Sequence, residues 1–226
     1  HEVLYELEGD IGAVTVGGDN QVYISDLDNR QILKISDEGH GSVLVDDIHA
    51  NHLLGSRKGI YFASSVDHRL GFYNMERKMI NSDLIDETPT GLALSAKQTY
   101  LNVSTEEGVF GKSYKIASSG ALQFGQDYIH YHVPYGQAGP GAVGVTVDSE
   151  NRTYTGTRMG IQVSDQLGRV NYIIESPVSE SSDLSFGGPA MDMLYLVSNG
   201  RLYRRSLKTK GVSPIKAPIV APAPKM

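Results

Sequence analysis

One short unit recurs along this chain, and a recurring unit constrains a fold more than any single motif does. Residues 14–26 (VTVGGDNQVYISD) read as strand, turn, strand: β-branched flanks enclose a turn of Gly, Asp and Asn. The unit returns at residues 53–62, 92–101, 145–154 and 184–196. Each copy carries a tyrosine at nearly the same offset, Tyr23, Tyr61, Tyr100, Tyr154 and Tyr195, expected to pack between neighbouring sheets. The residues just before the copies, Ile11 (or Asp10), Asn51, Thr90, Val143 and Asp183, are equivalent to one another. Counted from Ile11, they stand 40, 39, 53 and 40 residues apart. Short strands at such a period indicate propeller blades of four strands each.

Third strands follow at residues 31–35, 70–73, 113–116, 160–163 and 201–204, and fourth strands at 42–45, 79–82, 125–128 and 170–174. The fifth unit has no clear fourth strand. Residues 3–7 (VLYEL) form a spare strand that can complete the last blade and hide two sheet edges at once. The expected fold is therefore all-β, a β-propeller of about five four-stranded blades closed by the N-terminal strand. The expected boundaries are a propeller over residues 1–213 and a Pro-rich strap or tail over 214–226, a stretch in which proline cannot donate to a ladder. The long interval holds an insertion, residues 126–140, with Tyr128, His130, Tyr131 and His132.

Composition narrows the chemistry. A formal net charge of -6 argues against a nucleic-acid surface. The basic stretch Arg201, Arg204, Arg205, Lys208 and Lys210 reads as a solvated edge strand. No apolar run approaches the roughly 18 residues needed to span a bilayer. The chain has no cysteine, which removes disulfides, thiolate zinc sites and thiol nucleophiles and fits an exported protein. It also has no tryptophan for stacking sugars. There is no G-x-S-x-G elbow and no phosphate loop. Asn151-Arg152-Thr153 is a formal glycosylation sequon at an expected hairpin turn.

Several stretches carry a family resemblance. Residues 89–95 (PTGLALS) resemble the "PNGLALSPDG" element of the SMP-30/gluconolactonase/luciferin-regenerating-enzyme family, and residues 141–148 (GAVGVTVD) its "GADGMxVD" element. Residues 157–170 (TRMGIQVSDQLGRV) resemble the "ATRMGIQVCDQAGRVN" of secreted bacterial members. Residues 182–189 resemble "SNLCFGGP", and residues 202–205 resemble the start of "VYRRKLKVKG". The resemblance covers essentially the whole chain and is strongest after Pro89. It implies a six-bladed propeller with one divalent cation, Ca²⁺ or Zn²⁺, in the channel, hydrolysis of lactones or related sugar-derived esters, and a periplasmic or secreted location.

The ligands so implied are a first-blade Glu, the Asn of "PNG" and an Asp of "ADG". Here Ile11 stands at the first position, with Glu8 or Asp10 nearby, Thr90 at the second and Val143 at the third. Asn51 and His52 match the family's substrate-contacting "ND" element in part, and Asp183 replaces an Asn. A hard cation needs several oxygen ligands, and Val143 offers none. Asp183, Asn51 and Asp10 share one blade position and could rebuild a weak site; the alternative is that Asn51 and Asp183 cap turns. His130 and His132 lie two apart on one strand face and could bind Zn²⁺ with a third ligand, or form a polar aromatic lid. Arg158 could hold a carboxylate or phosphate, or form a salt bridge.

On this reading Asp183, Arg158 and His132 are the catalytic candidates, and Asn51, His52, Thr90 and His130 the substrate contacts. The expected partners are a small sugar-derived ligand or an unknown protein, with no nucleic acid and no membrane span, in a monomer or small homo-oligomer. A propeller that has lost its ligands could instead be a non-catalytic binding module.

Overall fold

The computed structural model describes residues 3–176 and 182–223. Within them every regular element is a strand, and no helix is long and apolar enough to cross a membrane. The first sheet holds β1 (Ile11–Val16), β2 (Val22–Asp26), β3 (Gln31–Ile35) and β4 (Gly41–Val45). The second holds β5 (His52–Gly55), β6 (Gly59–Ser64), β7 (Arg69–Asn74) and β8 (Met79–Leu84). The third holds β9 (Pro89–Leu94), β10 (Tyr100–Thr105), β11 (Phe110–Ile116) and β12 (Leu122–His130). The fourth holds β13 (Val143–Val147), β14 (Thr153–Thr157), β15 (Gly160–Ser164) and β16 (Val170–Ile174). The fifth has three strands, β17 (Asp183–Gly187), β18 (Met193–Ser198) and β19 (Arg201–Ser206). All pairings within the sheets are antiparallel between chain neighbours, so each repeat of the sequence is one blade of a five-bladed propeller.

Turn chemistry sets the hairpins. Asn20, Gln98 and Asn151 take left-handed backbone angles (φ 60°, 54° and 59°) between the first and second strands of their blades. Asp148 is fully buried at the fourth-blade turn. Its carboxylate accepts from the backbone N–H groups of Glu150 and Arg152 (both 2.9 Å), Arg152 Nε (2.7 Å), the Tyr154 hydroxyl (3.0 Å) and Thr209 Oγ1 (3.1 Å). Asp19 repeats part of this in the first blade, accepting from Tyr23 at 2.8 Å and from Lys34 at 2.7 Å. A buried carboxylate is stable only with its lone pairs filled in this way.

The core lies between blades. Tyr61, Leu70 and Phe72 of blade two pack on Leu92, Leu94 and Val103 of blade three. Tyr154 and Val163 of blade four pack on Leu184 and Phe186 of blade five, and Ile32 and Val45 of blade one meet Phe62 of blade two. Each such side chain, once fully buried, contributes about 1.5–3 kcal/mol. The repeated tyrosines Tyr23, Tyr61 and Tyr154 are 0%, 3% and 2% exposed, each facing the next blade. Tyr100 departs from the expectation: it is exposed, and Leu101 takes the buried place.

The expected closure is corrected by the structure. Residues 3–7 form no strand, and the last blade keeps three strands. Tyr5 and Leu7 instead pack on Ile24, Leu33 and Ile35 of blade one, because these apolar side chains face away from blade two and need a cover. The inner strands β1, β5, β9, β13 and β17 pack in succession, but no comparable packing among the described residues joins β17 or β18 to β1. Among the described residues, then, the first and fifth blades lack the packing that joins the other neighbours.

The C-terminal segment is extended. Val212 donates its backbone N–H to the Val147 carbonyl (3.0 Å) and packs with Ala93, Ala96, Val145 and Val147. Gln98 Nε2 donates to the Pro214 and Lys216 carbonyls (3.1 and 2.9 Å), and Ile219 N–H to Ala96 (2.8 Å). The segment thus runs from blade five across the ends of β13 and β9. Residues 224–226 lie outside the described residues.

Candidate functional site

Five inner strands surround one cavity of about 700 Å³. Its wall is built from β1, β5, β9, β13 and β17, and residues 212–215 of the C-terminal segment lie across the end where β13 finishes. The opposite mouth is marked by the starts of the inner strands. There Asn51, His52, Ser182 and Asp183 line the cavity, with Ser185 and Thr146 further down. The repeat explains part of this gathering: the inner strands of equivalent blades face one axis, and of the residues that precede the copies Asn51 and Asp183 line the cavity, whereas Ile11, Thr90 and Val143 do not.

Asp183 opens β17 and pairs across the sheet with Val197. Its Oδ1 accepts from the Leu184 N–H at 2.8 Å. The side chain is exposed to the channel, yet the surrounding protein still desolvates its carboxyl enough to raise it above the ordinary range, against the Leu184 hydrogen bond. Gly144 gives Asp183 its place. A Cβ at Gly144 (φ +59°) would meet Asp183 Oδ1 at 2.5 Å, so only glycine combines this backbone angle with this approach. On its other side Gly91 stands against Gly144, where an added Cβ would lie 2.6 Å from the Gly144 Cα. Both glycines stand in the motif-like stretches at residues 89–95 and 141–148, yet only packing between blades shows what they do.

His52 opens β5 opposite Ala63. Burial pushes its imidazole down to about 4, so it is neutral at pH 7, with one nitrogen donating and one accepting. Asn51 is tied on one side: its N–H donates to the Ala63 carbonyl and its Oδ1 accepts from the Ser65 N–H, both at 2.9 Å. Its Nδ2 has no protein partner among the described residues.

The other candidates lie outside the cavity lining. The Thr90 hydroxyl donates to the Ala142 carbonyl (2.8 Å) beside Ser104 Oγ (3.1 Å), tying blade three to blade four. Arg158 is exposed at the turn between β14 and β15, and its Nη1 donates to the Gly139 carbonyl at 3.2 Å; among the described residues it makes no salt bridge and does not line the cavity. His130 stacks on Phe110 with ring centroids 4.9 Å apart. His132 is held by backbone bonds to Gln162 (2.8 and 2.7 Å). Between these histidines Tyr131 is buried, with its hydroxyl 3.3 Å from Thr155 Oγ1. Both histidines are exposed on the rim of blades three and four, and no residue of the insertion lines the channel.

The donor set does not suit a hard divalent cation. Asp183 is the one carboxylate in the cavity lining, Asn51 Oδ1 already holds a backbone N–H, Val143 has no oxygen in its side chain, and Asp10 is exposed away from the lining. Among the described residues no cluster of three or more His, Asp or Glu side chains could hold a metal.

No family model and no curated protein matches this sequence. Its fold matches solved propellers. A protein proposed to be a gluconolactonase superposes with a TM-score of 0.75 at 16% identity, over 89% of this chain and 76% of that one. Luciferin-regenerating enzyme gives 0.74 at 16% identity, over 94% and 83%. Virginiamycin B lyase from Staphylococcus aureus gives 0.64 at 15% identity, over 91% and 72%. At such identity the likeness is one of fold: this chain is a β-propeller whose structural neighbours include gluconolactonase-type and luciferin-regenerating-enzyme propellers.

Proposed function

We propose that this chain is a divergent relative of the SMP-30/gluconolactonase propellers, and that its channel binds and hydrolyses a lactone or related sugar-derived ester without a bound metal. The observation that carries this reading is the axial cavity, with the Asp183 carboxylate, the His52 imidazole and the Asn51 amide at one mouth. A carboxyl with a raised pKa is a better general base than an ordinary one. In the reaction, Asp183 takes a proton from water as the water oxygen attacks the lactone carbonyl carbon. The ring C–O bond then breaks, and the departing alkoxide recovers that proton to give the hydroxy acid. The His52 N–H and the Asn51 amide are the donors available to the developing oxyanion.

A second reading, a binding module without turnover, draws support from Thr90 and Arg158, which are committed to backbone carbonyls rather than to the channel. Proton release from δ-gluconolactone, followed at constant pH, separates the two. Turnover is expected in chelator-treated protein, falling by about a hundredfold or more in Asp183→Asn. Activity that needs added Ca²⁺ or Zn²⁺ would return the metal to the mechanism. Calorimetric binding with no release above buffer would establish the binding module, and neither signal would refute both readings for this ligand class.

A further inference from the structure

The end of the propeller opposite the Asp183 mouth carries the turns that join the first and second strands of each blade, and charge is unevenly spread among them. In blade one Asp19 meets Lys34 at 2.7 Å, and in blade four Asp148 meets Arg152 at 2.7 Å. Blade five carries Asp192 in its turn. The turns of blades two and three have no carboxylate. Ser56 opens the β5–β6 turn and Ser95 the β9–β10 turn, where Asp148 opens the β13–β14 turn. Ser56 Oγ accepts from the Lys58 and Gly59 N–H groups (3.4 and 3.2 Å), and Ser95 Oγ from the Thr99 and Tyr100 N–H groups (3.3 and 3.1 Å). A hydroxyl thus fills the backbone role of the carboxylate without its charge. The tyrosines record the same change. Tyr23 and Tyr154 donate to Asp19 and Asp148, whereas Tyr61 donates to the Gly120 carbonyl at 3.2 Å.

The cations of these two turns come together without a counter-charge. Arg57, Lys58 and Lys97 line one cleft of about 300 Å³ between blades two and three. No Asp or Glu lines it, in a chain whose net charge is -6. Among the described residues none of the three cations makes an ion pair, and Lys58 Nζ donates once, to the Ser118 carbonyl at 3.3 Å. Like charges around one cleft repel each other, and a bound anion relieves that repulsion. Thr99 and Ser118 bring hydroxyl groups to the wall, and Leu94 and Ile116 give it an apolar part. Pro218 closes one side. The C-terminal segment is held in that place by Gln98, itself a wall residue, through the Pro214 and Lys216 carbonyls. The feature is therefore a recess between turns and a fixed segment, not a scatter of surface lysines.

We propose that this cleft binds the phosphoryl group of a small phosphorylated molecule. A phosphoryl group carries about 1.5–2 negative charges at pH 7 and several acceptor oxygens, so it meets three cations at once, where a carboxylate brings a single charge. The Arg57 guanidinium offers paired N–H donors to two of those oxygens, and the Lys58 and Lys97 ammonium groups act as point charges. The volume is at the lower end for ligand pockets, which suits the phosphoryl group with a small body beside it. An extended polyanion does not fit, because the acidic remainder of the surface repels it beyond the cleft. The site lies at the far end of the channel from Asp183 and does not depend on the reaction proposed above.

Phosphorus NMR and thermal unfolding test it, with inorganic phosphate and glycerophosphate as probes at an ionic strength held constant with sodium chloride. Both probes should show saturable line broadening with the parent protein, and Tm should rise with their concentration, as binding to the folded state alone requires. In the double variant Arg57→Gln, Lys97→Gln the affinity should fall by about tenfold or more. Both side chains are exposed, so their replacement leaves the core untouched. The double variant Arg201→Gln, Arg204→Gln makes an equal charge change on β19 and should stay within about twofold of the parent, because solvent and salt screen charges at a distance. Glycerate, which has a carboxylate in place of the phosphoryl group, should raise Tm only at about tenfold higher concentration or above. No saturable broadening with the parent overturns the proposal. So does an unchanged affinity in the cleft variant, which places the phosphate elsewhere, or an equal loss in both double variants, which assigns it to net charge. Equal stabilisation by glycerate overturns the choice of a phosphoryl group.

Discussion

At the scale of single residues, two groups at the channel mouth respond to burial with opposite consequences. Asp183 has its carboxyl raised, so the folded state holds its proton more tightly than the unfolded state does. That group stabilises the fold as pH falls through its folded pKa and costs stability once ionised. Asp183→Asn should therefore unfold at a higher temperature than the parent at pH 7, with the difference closing toward pH 4 in paired thermal melts. A variant that loses turnover while gaining stability marks a group kept for function. His52 has the reverse sign. Its imidazole is lowered from 6.5 to about 4, so stability is complete above about 6.5 and is lost as acid protonates the unfolded state first. In His52→Gln the stability difference between pH 7 and pH 4.5 should shrink; an unchanged acid profile would place the loss elsewhere. The reach of the sequence at this scale was uneven. Asp183, Asn51 and His52 came to the channel because blade position encodes radius coarsely; Thr90, at the same position, is instead tied between blades three and four. His130, His132 and Arg158 did not, because the path of an insertion is set by contacts such as Gln162 with His132, which no period encodes.

At the scale of elements, the strands were legible in the repeat because the alternation and the Gly, Asp and Asn turns are local signals. The expected third strand at residues 31–35 coincides with β3, and the missing fourth strand of the last unit is missing from the sheet. Where residues 3–7 would go was not legible. Edge pairing and face covering both satisfy an apolar segment, and the uncovered Ile24, Leu33 and Ile35 decided the contest. The C-terminal segment poses the same question of an extended chain against the body. Val212 is 8% exposed, and cutting it to alanine removes two buried methyl groups, about 1.5 kcal/mol. For a domain of this size that corresponds to a fall in Tm of about 4 °C. Calorimetry of Val212→Ala checks this, and an unchanged Tm would mean that the segment lies on the channel end without holding it.

For the whole molecule, the decisive property is that each blade is stable largely through its neighbours. Blades two, three and four are covered on both faces, as the fully buried β6, β14 and β15 and the almost wholly buried β10 show. Among the described residues, blades one and five each lack a neighbouring blade on one side, and Tyr5 and Leu7 pack on blade one there. In stacked architectures the stability of a unit follows the number of interfaces it makes, so opening should begin at the interrupted ends and spread inward. Amide hydrogen exchange resolved by segment should then show a gradient: greatest protection in β6, β10 and β14, less in β2, and least in β18 and β19. The gradient follows from the uncovered faces rather than from local composition, because β18 is as rich in large apolar residues as β6. A flat profile, with β18 as protected as β14, would mean that the five blades unfold as one closed ring. The graded profile would locate the first opening at the wall beside Asp183, which ties the integrity of the channel mouth to the fifth blade.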